Sequence, residues 1–174
     1  MTNVALTVIG PDRPGLVSAV AQVVAEHEGN WLDSRLAHLA GQFAGVVLVD
    51  LPADRLSHFE SALRSACASV DLELVIKPGD ERPAPTGRTL TAHLVGQDRS
   101  GIVAVVSSAL ADIDVTIDEM TTSTSATPWD GGGLFQATLH LRVPGGVSDQ
   151  AIQDALEALA DELMVDLSLG AEDD

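Results

Sequence analysis

At 174 residues the chain can hold one ordinary domain or two small ones. Its hydrophobic share of 45% supports a real core, but aromatics make up 3% and tyrosine is missing, so that core must be aliphatic. Nine basic residues against 26 acidic ones leave a net charge of −17, which excludes direct nucleic-acid binding, where phosphate neutralisation supplies most of the affinity.

In chain order, residues 4–9 read as a short apolar strand. Residues 16–28 read as a helix striped by Leu16, Val17, Val20, Val23 and Val24. Gly29-Asn30 is expected to end it with a left-handed stop at the glycine. Residues 31–39 and 43–51 form two strands turning at Ala40-Gly41-Gln42, and Pro52 closes the second. Asp54 is expected to cap a second helix whose apolar face is Leu56, Phe59, Leu63, Ala66 and Val70, and residues 72–76 make a last strand. The order strand-helix-strand-strand-helix-strand is the ferredoxin-like split βαβ unit. Residues 77–88, with three prolines and no periodicity, read as a linker.

The second half repeats the order. Residues 89–95 are a strand and 102–113 a helix striped by Ile102, Val103, Val106, Leu110 and Ile113. Residues 115–125 and 134–143 are strands. Ser148 caps a helix with Ile152, Leu156, Leu159 and Leu163 inward, and 165–169 close the unit. The predicted class is α+β: two βαββαβ units in tandem, with antiparallel sheets and helices on one face. The expected domains are 1–77 and 89–170, with linker 78–88 and an acidic tail at 171–174.

The strongest signal is a motif written twice. Gly10-Pro11-Asp12-Arg13-Pro14-Gly15 returns as Gly96-Gln97-Asp98-Arg99-Ser100-Gly101 at an offset of 86 residues. Val4, Leu6, Val8 and Ile9 before it match Leu90, Ala92, Leu94 and Val95, and Leu16, Val17 and Val20 after it match Ile102, Val103 and Val106. Such a fixed offset is the mark of one supersecondary unit copied. Each copy leads from a strand into a helix. Asp12 and Asp98 are expected as N-caps, Pro14 fits where its missing N–H has no helical partner, and Gly15 and Gly101 leave the first turn uncovered. A helix mouth with free N–H groups suits an anion such as a carboxylate; the same residues also suit a plain structural turn. Asp118 is matched to Asp33 by assuming a one-residue deletion, and the second hairpin is then seven residues longer, around Thr127-Pro128-Trp129-Asp130-Gly131-Gly132-Gly133. Trp129 there can serve as a lid or interface anchor, or fold back on the sheet.

The strand, the run Gly-Pro-Asp-Arg-Pro-Gly-Leu-Val opening a helix, and Gly29-Asn30 before the next strand together resemble the ACT domain, a ferredoxin-like family that commonly senses amino acids. The resemblance covers both halves. Two such units without an attached catalytic or DNA-binding domain, with Asp33-Ser34-Arg35-Leu36-Ala37-His38-Leu39 followed by Gln42-Phe43-Ala44-Gly45, look most like the glycine-cleavage-system transcriptional repressor family. That resemblance implies a non-enzymatic accessory regulator, responding to glycine or a similar small amino acid and acting through a DNA-binding protein. The alternative is a detached regulatory subunit of a biosynthetic enzyme. It also implies a homodimer and ligand sites where units join side by side. Carried onto matching positions, one site uses Asp12, Arg13, Gly15 and Leu16 with Asn30 and Asp33. Its counterpart uses Asp98, Arg99, Gly101, Ile102 and Asp118. First-turn N–H groups would hold the ligand carboxylate, and an Asp or Asn on a neighbouring strand its ammonium, since either charge buried alone is costly. Arg13 and Arg99 can bind the carboxylate bidentately or tie the turn to an acidic neighbour. In the second copy Ser100 replaces the proline.

Other chemistry is not indicated. His27, His38, His58, His93 and His140 show no metal-ligand spacing, and Cys67 sits near an apolar stripe as a small core residue. A single cysteine excludes an internal disulfide. No Gly-x-Ser-x-Gly or phosphate loop is present, and no cofactor is expected. No apolar run reaches the roughly 18–20 residues of a membrane helix. The start lacks a signal-peptide pattern, so the expected location is the cytoplasm. An RNA-binding sheet would need aromatics on its central strands, which these lack.

Overall fold

Alternation along the first strand decides how each unit is built. In the computed structural model, which describes residues 1–79, 86–126, 133–163 and 165–171, Val4, Leu6 and Val8 of β1 (Thr2–Pro11) are buried while, alternating with them, Asn3, Thr7 and Ile9 are exposed and Ala5 is half-buried. Side chains of successive strand residues point to opposite faces, so one face of the sheet carries the core and the other is left uncovered by the helices. The chain divides into two units, Met1–Pro83 and Ala84–Asp174.

In the first unit β1 leads into α1 (Leu16–Glu26), then β2 (Asn30–Leu39), β3 (Gln42–Leu51), a one-turn 3-10 segment (Ala53–Arg55), α2 (Leu56–Ser69) and β4 (Glu73–Pro78). The antiparallel sheet has the order β2-β3-β1-β4. The second unit repeats it with β5 (Arg88–Gln97), α3 (Ile102–Asp112), β6 (Thr116–Ala126), β7 (Gly133–Val143), α4 (Asp149–Leu163) and β8 (Val165–Ala171), in the order β6-β7-β5-β8. Both are ferredoxin-like α+β units, as the patterning predicts. The cores are aliphatic: Leu6, Val47, Val49, Leu51, Phe59 and Leu63 in one, Leu94, Leu110, Leu139, Leu141, Ile152 and Leu156 in the other. Cys67 is buried in the first core, which pushes its thiol pKa up.

Several local expectations need correction. The left-handed stop after α1 is Glu28 (φ 58), not Gly29. Gly29 N–H donates to Val24 O at 2.9 Å and Glu28 N–H to Ala25 O at 3.1 Å, the paired bonds of a Schellman turn. Gly29 is required by space instead: a Cβ there would stand 3.0 Å from Val24 O and 3.1 Å from Asp50 O. Asp71 after α2 and Asp114 after α3 take the same left-handed role with the same bonds. Asp54 does not cap α2; it lies in the 3-10 turn, and Arg55 holds the N-cap with no side-chain bond. Ser148 does cap α4, its Oγ accepting from Ala151 N–H at 3.2 Å.

The repeat is also more regular than the sequence reading allows. Both second strands carry a β-bulge, between Trp31 and Asp33 and between Ile117 and Glu119. The bulged residues are thus Leu32 and Asp118, so Asp118 matches Leu32, and Glu119 matches Asp33. No residue is deleted. The offset stays at 86 through β6 and becomes 92 at β7, where Gly133 stands for Gly41 and Val143 for Leu51. The added segment is therefore six residues, 127–132, rather than seven. It lies outside the described residues, as do Trp129, most of the linker and the acidic tail, and the side chains of Leu159 and Leu163 are likewise not described.

Candidate functional site

The duplicated motif builds a matched pair of helix mouths. Gly15 and Gly101 are the N-cap residues of α1 and α3, at φ 97 and φ 93. They therefore lie one step before the first turn rather than inside it. This region of backbone space is cheap only for glycine, which explains the residue better than packing does. Neither mouth has a side-chain cap: Asp12 and Asp98 sit three residues too early to reach the first turn, so their expected capping role is not realised. Instead each anchors the loop to a hairpin through its backbone, Asp12 N–H to Gly41 O at 3.0 Å and Asp98 N–H to Gly133 O at 2.7 Å. Helix initiation leaves first-turn N–H groups without intrahelical partners. Apart from each glycine's own chain neighbours and helix, no described atom comes within 4 Å of the place where a Cβ would stand on Gly15 or Gly101, so the space beside each cap glycine is open. Leu16 and Ile102, the next residues, are buried and root each helix in its core.

The two mouths are furnished differently. At the first, the Arg13 guanidinium donates to Asp71 Oδ2 at 3.1 Å, and His38 Nε2 lies 3.5 Å from Asp12 Oδ2. Arg13 thus does what the tying reading expects, holding the loop to the turn after α2. That turn must press close, because a Cβ on Gly10 would collide with the Asp71 carbonyl. At the second mouth Arg99 donates to Gln97 Oε1 at 3.4 Å. From the sequence alone His38 is read only within the β2 run and among histidines without metal-ligand spacing, and Asp71 is not picked out. Asp71 is the left-handed residue ending α2 and His38 the penultimate residue of β2, and no spacing relates either to the motif.

The remaining candidates are not brought to the mouths within a unit. Pro11 pairs with Gln42, whereas Asn30 pairs with Asp50, which pairs with Asn3 at the other end of the sheet. Eight strand residues separate those ends, roughly 27 Å at about 3.4 Å per residue. Asn30 and Asp33 therefore stand far from Gly15 of their own unit. Asp33 Oδ1 accepts from Arg35 Nη1 at 2.9 Å and from Ser34 N–H at 2.7 Å. Asp118 is joined to Arg142 on the adjacent strand. One Asp50 carboxylate oxygen is buried without a hydrogen-bond partner among the described residues. Three cavities lined by described residues lie elsewhere: about 290 Å3 beside Leu56 and Glu60, about 260 Å3 beside His93 and Thr138, and about 310 Å3 beside Thr116 and Arg142. No group of three metal-ligating side chains occurs among the described residues, and none of their helices is long and apolar enough to cross a membrane.

With this geometry in place, the chain can be set beside known proteins. The family model described as ACT domain matches residues 2–77. The glycine cleavage system transcriptional repressor of Escherichia coli (strain K12) is 24% identical over 159 residues, covering 91% of this chain and 84% of that one. UPF0237 protein MK1213 of Methanopyrus kandleri is 35% identical over 82 residues, 46% of this chain and 91% of that protein. A crystal structure of an unknown protein from Galdieria sulphuraria superposes with a TM-score of 0.88 at 28% identity, over 99% of both chains.

Proposed function

The chain belongs to the ACT-domain family, and from that premise we propose that it is a non-enzymatic regulator that binds a small amino acid, glycine or one of similar size, and passes the signal to a protein partner. The observation that carries this reading is the pair of helix starts left without a side-chain cap behind left-handed Gly15 and Gly101, with free space beside each glycine. Each offers backbone donors and a positive dipole end to a carboxylate, with no protein side chain capping the turn. A zwitterion also needs an acceptor for its ammonium. At the first mouth Asp12 and Asp71 are the nearby carboxylates, both more than a third exposed. Asn30, Asp33 and Asp118 can contribute only where another unit brings its strand up to the mouth, which is how a side-by-side junction would use them. Ligand binding then favours one arrangement of units, and a partner reads the shift. The wide similarity to the E. coli repressor supports a transcriptional setting; within it the chain is proposed to act in the cytoplasm as a homodimer, with a DNA-binding protein as partner. The acidic balance keeps the chain itself off nucleic acid.

Calorimetric titration with glycine, serine and the other small amino acids tests the reading. Heat of binding is expected for at least one of them. Asp12→Ala and Asp98→Ala, compared in the same titration, tell which mouth responds. A flat titration for every amino acid at millimolar concentration overturns the proposal.

A further inference from the structure

The uncovered face of the first sheet is aliphatic where its counterpart in the second is polar. On the first, Ala5, Thr7 and Ile9 of β1 lie beside Ala44, Val46 and Leu48 of β3 and Val75 of β4. Ile9, Val46 and Val75 are 46%, 49% and 51% exposed. The second sheet has the same register, and the positions of Thr7, Val46, Leu48 and Val75 are held there by His93, Thr138, His140 and Ser168. The fold therefore does not require an apolar face, and the first unit maintains one at the cost of exposing it to water.

We propose that this face is where a second copy of the chain packs, sheet on sheet, about a two-fold axis parallel to the strands. This deepens the homodimer element of the proposed function and rests on it. The reason for choosing a second copy lies in the charged edges. The register places Asp33, Leu48, Ala5 and Lys77 in one row across the sheet, Arg35, Val46, Thr7 and Val75 two residues along, and Ala37, Ala44, Ile9 and Glu73 four residues along. An axis parallel to the strands lays the β2 edge of one copy over the β4 edge of the other. Asp33 then meets Lys77, the one lysine of the chain, twice over, as an isologous contact demands. The Ser34 and Arg35 donors both go to Asp33 Oδ1, so Oδ2 is the oxygen presented to Lys77. The centre is Val46 over Thr7, with Ile9 and Val75 around it. Strand spacing and rise give a face of this kind a footprint of roughly 500 Å2. Two of them bury roughly 1,000 Å2, about the threshold for a specific interface.

The test is the oligomeric state of the full chain, by sedimentation equilibrium over a wide concentration range. The wild type is expected to be a dimer. Val46→Glu buries a charge at the centre of the contact, and dimer dissociation should strengthen about 30-fold or more. Ile9→Glu, at a position 46% exposed that would face Ala44 of the other copy, should act in the same direction. Thr138→Glu, at the position equivalent to Val46, should leave the dimer intact. Lys77→Asp should weaken it, and adding Asp33→Lys should restore it. A wild type that stays monomeric overturns the homodimer reading itself. A dimer that survives both glutamates leaves that reading standing and overturns the assignment of this face. Equal loss from Thr138→Glu overturns it too.

Discussion

The two units share a backbone but differ in what they do with their surfaces. In the first, Arg13 is held by Asp71, His38 stands by Asp12, and the uncovered face is aliphatic. In the second, Arg99 reaches Gln97, the hairpin is six residues longer, and the uncovered face carries His93, Thr138 and His140 hydrogen-bonded across strands. The parts that stay identical are the left-handed glycine, the anchored loop and the bulge. A copied unit thus keeps the features its backbone needs and is free to diverge elsewhere. The constant parts are those whose loss should cost both units equally, and the divergent parts should separate them.

The largest effect tests whether the cores are independent. Phe59 is fully buried in the first core and Ile152 in the second. Phe59→Ala should cost about 3–5 kcal/mol and Ile152→Ala about 2–5 kcal/mol. Urea unfolding followed by circular dichroism is expected to split into two transitions in either variant, with only the mutated unit moving. A single transition that shifts as a whole would show that the units unfold together, and the comparison would lose its separate terms.

Next come the glycines. Gly15→Val and Gly101→Val each force a β-branched residue to a φ near +95, which should cost about 1–3 kcal/mol. Space is not the obstacle, since a Cβ at either position meets nothing within 4 Å. The two losses are expected to agree within about 0.5 kcal/mol by denaturant midpoint, because the geometry is the same. A much cheaper change at Gly101 would mean that the second loop relaxes where the first does not. These variants also disturb any bound ligand, so they measure strain and not affinity.

The fold was legible because its signals are local and repeated. Val4, Leu6 and Val8 alternate, Leu16, Val20 and Val24 fall on one helical stripe, and the motif marks the same strand-to-helix joint twice. What failed was anything decided by geometry across strands. The bulge that sets Asp118 against Leu32 leaves no trace in spacing, so a false deletion was needed to align two aspartates. The caps expected at Asp12 and Asp98 failed for a related reason, while Ser148 caps α4 as expected. Asp12 has the right chemistry, but the left-handed turn at Gly15 delays the helix to Leu16, beyond its reach. The site was legible only in part. Gly15, Leu16, Asp12 and Arg13 do share one mouth, while Asn30 lies at the far end of its own sheet, because chain order says nothing about which end of a hairpin faces the loop. Asp71 could be found only by folding the chain.

A smaller difference should appear at alkaline pH. Burial pushes the Cys67 thiol above its ordinary value of 9.0, because the thiolate is penalised in the core. The folded unit then holds its proton more tightly than the unfolded chain does. The associated stability is complete below the ordinary thiol pKa and is lost as pH rises through the folded value. The first unit should therefore weaken as pH rises above 9.0 relative to Cys67→Ala measured over the same range, while the second, which has no cysteine, shows no such loss. Parallel slopes for wild type and variant would remove burial of the thiol as the cause.

The smallest expected effect is at the feature that most distinguishes the two mouths. Arg13 and Asp71 pair at 3.1 Å, but their side chains are 41% and 75% exposed, so water and salt screen the attraction. Pairs of this kind contribute about 0–1 kcal/mol. Arg13→Ala and Asp71→Ala should each lower stability by less than about 1 kcal/mol, and a double-mutant cycle should return a coupling of about 0.5 kcal/mol or less that fades in high salt. Asp71→Gly separates the ion pair from the backbone. It removes the carboxylate but relieves a left-handed residue at φ 49, so it should be the least destabilising of the three. Coupling well above about 1 kcal/mol would mean that the tie is shielded from solvent, and that the first mouth is a stiffer structure than its copy rather than the same one with a different neighbour.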